Sequence, residues 1–330
     1  MMALSEFSLI QKYFSELGSE LGDAPGVALG IGDDAALLNI APGQQLVVTV
    51  DTLVAGVHFP ADATPADIAH RSLRVNLSDI AAMGAEPRWF TLALTLPEAH
   101  EPWLYEFSQA LAEDASTFGC ALVGGDTTAG PLTISIQLLG VVPEGEALTR
   151  SGATVGDSIY VTGSLGEGAA ALSLFDDADF GSSHERSCLY QRFYRPQPRL
   201  AEGIKLRGLA SAALDISDGL IADLGHIAAC SHVGAELRLE QLPIAPWLKA
   251  LGDSATVNRW VMSGGDDYEL CFTVPQKNRD QVETLIAQGE LLATCVGQIT
   301  EGNSVGNNVR CVDAKGNLVH VTASGYQHFG

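Results

Sequence analysis

The chain is short of positive charge. Lysine occurs only at Lys12, Lys205, Lys249, Lys277 and Lys315, and 18 basic residues stand against 40 acidic ones, for a formal net charge of −22. A surface of that sign does not suit a phosphodiester backbone, so nucleic acid is not an expected partner. No lysine closes a glycine-rich loop ahead of a helix, so the G-x-x-x-x-G-K-[ST] phosphate cradle is missing and a Walker-type ATPase is not expected. The cysteines (Cys120, Cys188, Cys230, Cys271, Cys295 and Cys311) include no C-x-x-C pair. They read as buried thiols in a reducing compartment, not as a disulfide framework or a zinc site. The apolar stretch LVVTVDTLVAGV is short and broken by Asp51, so no membrane span is expected. The opening MMALSEFSLIQKYFSEL has no basic segment leading into an apolar one and reads as an amphipathic helix, which makes the cytoplasm the expected location.

What is present is a globular composition of 330 residues, 46% hydrophobic and 18% charged, enough for two ordinary domains. Glycine fills 35 positions, above the usual ~7%, so tight turns and close backbone approaches are expected. QQLVVTVDTLV (44–54) alternates as a strand and places Val47, Thr49, Asp51 and Leu53 on one face. TPADIAHRSLRVNLSDIAAMGA (64–85) reads as a helix with proline at its first position and a glycine stop. Strands are expected at 88–96, 120–126 and 131–142, with a helix over 102–119. Composition shifts in the glycine-rich segment 144–157, which places a boundary near 148. Beyond it, a polar patch at 176–187 is read as irregular, a helix is expected near 198–210, and 262–267 is read as a loop. Strands and helices mix in both halves, so two α/β domains with mixed sheets are expected, 1–148 and 149–330.

The acids are placed unusually. Aspartates recur at strand ends or beside glycines: Asp33 and Asp34 in GIGDD, Asp51 in VVTVDT, Asp126 in LVGGDTT, Asp215 and Asp218 in LDISDG, Asp266 and Asp267 in SGGDDYEL. Asp79 shares a helical face with Asn76 and Met83. Buried carboxylates without partners are costly, and lysines are too few and too distant in sequence to pair these. Magnesium, a hard cation that takes carboxylate oxygens together with substrate phosphates, resolves the imbalance. Any one such aspartate is better explained as a helix cap or turn; it is the recurrence in both halves that points to ions.

Other signals stay open at this level. TGSLGEGAAAL (162–172) follows a strand and opens a helix, which fits either tight strand-to-helix packing or a phosphate contact. Arg150, at the expected domain junction, fits a nucleotide contact or a surface ion pair equally. His58 reads as either an anion contact or a satisfied strand-end histidine. No Ser-His-Asp or Cys-His order stands out.

Taken together, GIGDDAALL, DTLVAGVHF, VNLSDIAAMGAEP, LVGGDTT, LTRSGA, DISDGL and SGGDDYELCF, in this order and spacing, resemble the thiamine-monophosphate kinase family. That family sits in the aminoimidazole ribonucleotide synthetase-like superfamily. The resemblance runs over nearly the whole chain. It implies an N-terminal α/β domain that forms a homodimer, a C-terminal α/β sandwich domain that completes the active site, and ATP-dependent conversion of thiamine monophosphate to thiamine diphosphate with several Mg²⁺ ions. By motif, Asp34, Thr49, Asp51, Asp79, Asp126, Asp215 and Asp218 fall at metal positions, with Asp33 beside them and the Val50 carbonyl as a further ligand. Asp126, Asp51 and Asp79 are the expected catalytic group. Gly125, Asp126, Arg150 and Ser217 match nucleotide positions. His58 and Asp266 match substrate positions, and Tyr326 or Phe329 is expected to supply an aromatic against the thiazolium ring. Two departures stand out. Asp266 replaces the family's usual Glu, and Val50 stands where a hydroxyl residue can precede the DTLV aspartate.

Within the superfamily, the N-terminal reactive cysteine of selenophosphate synthetase and the C-terminal cysteine of the hydrogenase maturation protein are both missing. An aminoimidazole ribonucleotide synthetase-like enzyme, or a non-catalytic magnesium- or nucleotide-binding module, remains as the alternative reading. Direct in-line transfer between two phosphates, without a phosphoenzyme, is the expected chemistry.

Overall fold

The computed structural model describes residues 6–15, 17, 25–32, 34–177, 180–302, 308–319 and 325. Packing divides the chain into two compact units, one of residues 1–80 with 85–145 and one of 81–84 with 146–330.

The first unit is built on a four-stranded sheet of β3 (Gln44–Val54), β4 (Glu86–Leu96), β5 (Ala121–Ala129) and β6 (Thr133–Pro143), in the order β3-β6-β4-β5. Its β3–β6 and β6–β4 pairs are antiparallel and its β4–β5 pair is parallel. A small hairpin, β1 (Val27–Leu29) with β2 (Leu37–Leu38), precedes it. Helices α1 (Glu6–Tyr13), α2 (Pro65–Ala82) and α3 (Glu101–Phe118) complete the unit. α2 starts where Thr64 and Asp67 bond each other reciprocally, and the sheet-facing stripe Ile68, Leu73, Leu77 and Ile80 is fully buried. Each such side chain contributes about 1.5–3 kcal/mol by leaving water. α3 stops at Gly119, whose φ of 71° suits glycine.

The second unit is a seven-stranded sheet in the order β13-β12-β9-β11-β7-β10-β8. The strands are β7 (Ser158–Thr162), β8 (Ala212–Asp215), β9 (Gly234–Arg238), β10 (Leu270–Val274), β11 (Ala293–Thr300), β12 (Val309–Val312) and β13 (Leu318–Val319). Among the described residues only its β12–β9 pair is parallel. β7 and β10 are buried along their whole length, and Tyr160 stacks on its register partner Phe272 with ring centroids 5.4 Å apart. Helices α4 (Glu167–Asp176), α5 (Ser183–Tyr194), α6 (Leu200–Lys205), α7 (Leu220–Ser231), α8 (Ser254–Ser263) and α9 (Gln276–Ala287) belong to this unit.

Two helices depart from the sequence expectation. α5 begins inside the polar patch read as irregular, because Ser182 and Glu185 form a capping box that starts a helix. α8 runs to Ser263, two residues into the stretch 262–267 read as a loop, which is otherwise irregular, and it is capped at its start by the Asp253 side chain on Thr256 N–H. The helix expected near 198–210 is shorter, Leu200–Lys205. All six cysteines are free; Cys120, Cys271 and Cys311 are buried, whereas Cys230 is exposed.

Candidate functional site

In the first unit, the alternation of β3 sends Thr49 and Asp51 toward α2, and the helical spacing of Asn76 and Asp79 returns the gesture. Thr49 Oγ1 donates to Asp79 Oδ2 at 2.5 Å, and Asp51 N–H donates to Asn76 Oδ1 at 3.1 Å. Burial, and then the Asp79 charge beside it, push the Asp51 carboxyl up to about 6. Two carboxylates, a hydroxyl and a carboxamide thus meet at one strand–helix seam. This all-oxygen donor set, with its like-charge cost, fits a hard divalent cation. Among the described residues no three His, Cys, Asp or Glu side chains converge closely enough to hold an ion by themselves. Asn76 joins this seam without belonging to an acidic motif, and its place three residues before Asp79 is its one trace in the sequence.

Asp126 lies elsewhere in the same unit. Register aligns Asp51 with Ile136, Leu92 and Gly125, whereas Asp126 aligns with Ala93, Ser135 and Thr52. Adjacent rows point to opposite faces of a sheet. Asp51 therefore faces the α2 side and Asp126 the open side, on the opposite edge strand, three strand spacings or about 14 Å away. Val50 shares the open face and is 60% exposed. Gly125 is required by packing, since a Cβ there would meet Leu92 O at 2.0 Å. His58 Nδ1 accepts the Val54 N–H at 3.0 Å, and its own carbonyl accepts from Arg71. That bond fixes the ring and leaves the ring proton of the neutral form on Nε2. Asp34 is exposed, and Asp33 lies outside the described residues.

In the second unit three turns stack. The turn 163–168 opens α4, the turn 216–219 opens α7, and the turn 264–268 leads into β10. Asp266 N–H donates to Ser217 O at 3.0 Å and Tyr268 N–H to Ile216 O at 2.8 Å. Asp266 and Tyr268 both hold positive φ, 68° and 50°, and Tyr268 Oη donates to Asp266 Oδ1 at 3.1 Å. Such strain in non-glycine residues concentrates where a side chain must be aimed. Asp215 is buried at the end of β8, and Ser217 and Asp218 are half-buried. Arg150 is exposed, with its carbonyl near Ser231 Oγ at 3.4 Å. Tyr326 and Phe329 lie outside the described residues.

The open question about TGSLGEG closes in favour of packing. The N–H groups of Gly166 and Gly168 are taken by the buried Asp267 carboxylate, at 2.8 and 3.1 Å. A Cβ at Gly168 would lie 2.2 Å from Asp266 O. Asp267, grouped with the ion-facing acids on sequence grounds, is thus held by backbone donors and by the Arg192 charge instead of by a cation. Burial nevertheless raises its carboxyl to about 7. A third acid, Glu269, is fully buried and accepts from Thr162 Oγ1, Arg192 and Arg199 at 2.6–2.7 Å. Its compensating arginines are some 70 residues distant in sequence, so nothing local announced the pairing. Asp223 accepts from the backbone of Ser217, Asp218 and Gly219. The only sequence sign of it was one carboxylate in the apolar helix LIADLGHIAA.

Two family models match the chain: the N-terminal domain of AIR synthase related proteins over residues 32–142, and the C-terminal domain over 154–309. The thiamine-monophosphate kinase of Escherichia coli K12 is 47% identical over 99% of each chain. The crystal structure of thiamine-monophosphate kinase from Stenotrophomonas maltophilia K279a superposes with a TM-score of 0.84 at 43% identity, covering 94% of this chain and 97% of that one. AaThiL complexed with AMPPCP and TMP superposes at 0.76 with 30% identity, over 100% and 99%.

Proposed function

The chain belongs to the AIR synthase related family and, within it, to the thiamine-monophosphate kinases, and from that membership we propose that it transfers the γ-phosphoryl group of ATP directly to the phosphate of thiamine monophosphate, giving ADP and thiamine diphosphate. It is a phosphotransferase whose acceptor is already an anion, so no strong general base is required. The obstacle is bringing two polyanions together. At ~4 Å and an effective dielectric of ~20, each pair of like unit charges costs about 4 kcal/mol. Magnesium, when bound, cancels that repulsion and aligns the attacking and leaving oxygens.

The observation that carries this reading is the Asp51–Asp79 seam with Thr49 and Asn76. These residues would hold ions from the first unit, with the Val50 carbonyl, Asp33 and Asp34 as further ligands. Asp215 and Asp218 would hold ions from the second. Ser217, Arg150 and the Gly125–Asp126 peptide face the nucleotide. His58 and Asp266 face thiamine monophosphate, and Tyr326 or Phe329 stacks on the thiazolium, worth roughly 0.5–2 kcal/mol. In this reading residues 1–148 form the ATP, magnesium and dimer domain and 149–330 complete the site, in the cytoplasm; among the described residues no helix is long and apolar enough to cross a membrane.

A homodimer is part of the proposal. The open face of the first sheet exposes Leu46, Val48 and Val50 on β3 and carries Asp126 on the far edge strand β5, and a second copy would cover it. Because Asp126 and Asp51 face opposite sides of one sheet, Asp126 is assigned to the site of the partner. The test is ADP release with and without thiamine monophosphate. Release that depends on thiamine monophosphate and magnesium, with thiamine diphosphate as product, is expected. Release indifferent to the acceptor would overturn the reading in favour of another ATP-using reaction, and no release would leave a binding module.

A further inference from the structure

We propose that Asp223 is the positioning residue of the nucleotide-facing turn, gathering the backbone of Ser217, Asp218 and Gly219 onto its carboxylate and so setting the direction of the Ser217 and Asp218 side chains. The inference rests on the reading of those two residues given above.

Asp223 is 5% exposed and sits in the first turn of α7. One oxygen, Oδ2, accepts all three N–H groups, at 3.1, 3.0 and 3.0 Å. Converging backbone donors at a helix N-terminus can receive an anion from outside. Here the anion is internal. The helix end is thereby closed to nucleotide phosphate, and recognition passes to the side chains that the turn presents.

A simpler cap does not fit. Gly219 is the N-cap, with φ 116°, and a Cβ there would lie 2.8–3.0 Å from Ser263 backbone atoms. Serine, asparagine or aspartate, the usual caps, are therefore barred from that position. Helix stability alone does not explain the substitute. A carboxylate buried this deeply loses its hydration, so it is a costly stabiliser. What it secures is orientation. The opposite edge of the same turn is already tied to the 264–268 turn through Asp266 N–H to Ser217 O and Tyr268 N–H to Ile216 O. With Asp223 holding the N–H side, Ser217 is fixed from both directions.

Asp267 supplies the control. It is an equally buried carboxylate doing the same task at α4, on a turn that carries no nucleotide-facing residue. Binding of the magnesium complex of AMPPCP to the full chain is measured by calorimetry, alongside the Michaelis constants of both substrates. Asp223→Asn is expected to weaken the analogue and raise the Michaelis constant for ATP about tenfold or more, the scale of one lost charged hydrogen bond, while that for thiamine monophosphate stays within about twofold. Asp267→Asn is expected to leave the analogue affinity within about twofold of wild type. Equal weakening by both variants, or no weakening by Asp223→Asn, would overturn the proposal. If Asp223→Asn does not fold, hydrogen exchange on the wild-type protein decides. The amides of residues 217–219 should be protected before any nucleotide is added, and free exchange until the analogue binds would refute pre-positioning. A wild-type protein that binds the analogue yet forms no thiamine diphosphate overturns the functional reading alone; one that does not bind it overturns both.

Discussion

Thr49 on β3 donates its hydroxyl to Asp79 on α2, so the second carboxylate of the seam is aimed by a residue thirty positions away. Asp51, two residues along the same strand face, is left beside that charge with its carboxyl raised to about 6. An arrangement that is uncomfortable when empty should be relieved by a cation.

Magnesium is therefore expected to raise the melting temperature. At a concentration about 100 times its dissociation constant, the gain for one site is ~2.7 kcal/mol. Asp51→Asn should lose most of that shift while being at least as stable as wild type in metal-free buffer at pH 7, because it removes a buried like charge. Thermal melts with and without MgCl₂ check both. A full magnesium shift in Asp51→Asn would remove Asp51 from the ion site.

Stability should also carry a pH signature from Asp267. Its carboxyl is raised from 3.8 to about 7, so the folded state binds its proton more tightly than the unfolded chain does. The corresponding stability is complete below about pH 4 and is lost as pH rises to about 7. Asp267→Asn keeps an acceptor oxygen but does not ionise. The difference in melting temperature, variant minus wild type, should climb between about pH 4 and 7 and then level off. A flat difference would show that Asp267 titrates normally.

Asp126 and Asp51 face opposite sides of one sheet, so in the proposed homodimer they serve one site from two chains. Asp51→Asn and Asp126→Asn should each lower turnover about 100-fold or more. Mixed and allowed to exchange subunits, the two inactive variants should recover about a quarter of wild-type activity, because half the dimers then carry one intact site. Assays of the mixture against each variant alone test this, and no recovery despite demonstrated exchange would place both residues in one chain's site.

Asp266 holds φ 68°, a conformation that aspartate tolerates better than the longer glutamate expected there from the resemblance. The shorter residue therefore suits this turn. Asp266→Asn should keep the turn and lose the charge, raising the Michaelis constant for thiamine monophosphate about 10-fold or more with little change for ATP. Steady-state kinetics with each substrate varied in turn would show it; equal effects on both substrates would mean that the turn, not the charge, matters.

Much of this was readable along the chain. The β3 alternation put Thr49 and Asp51 on one face, and the helical interval joined Asp79 to Asn76, because both patterns are local consequences of backbone geometry. The order of the acidic motifs carried the family. Helix starts depend on side chains three residues apart, and the capping pair Ser182 and Glu185 lies in a polar patch whose composition reads as irregular.

Other features are set by tertiary contact and leave little local trace. Which acids are met by other protein groups was decided in space: Glu269 by Arg192 and Arg199, Asp267 by the glycine backbone opening α4, Asp223 by the turn before its own helix. The open faces of Val50 and Asp126 followed from strand order and register, and residues 81–84, the last two of α2 and the turn after it, group with the second unit although residues 65–80 of the helix belong to the first. Composition and local periodicity reveal that a carboxylate is present and which way its own element turns it. Its protonation and its partner depend on burial and on donors brought from distant chain, which only the packed structure supplies.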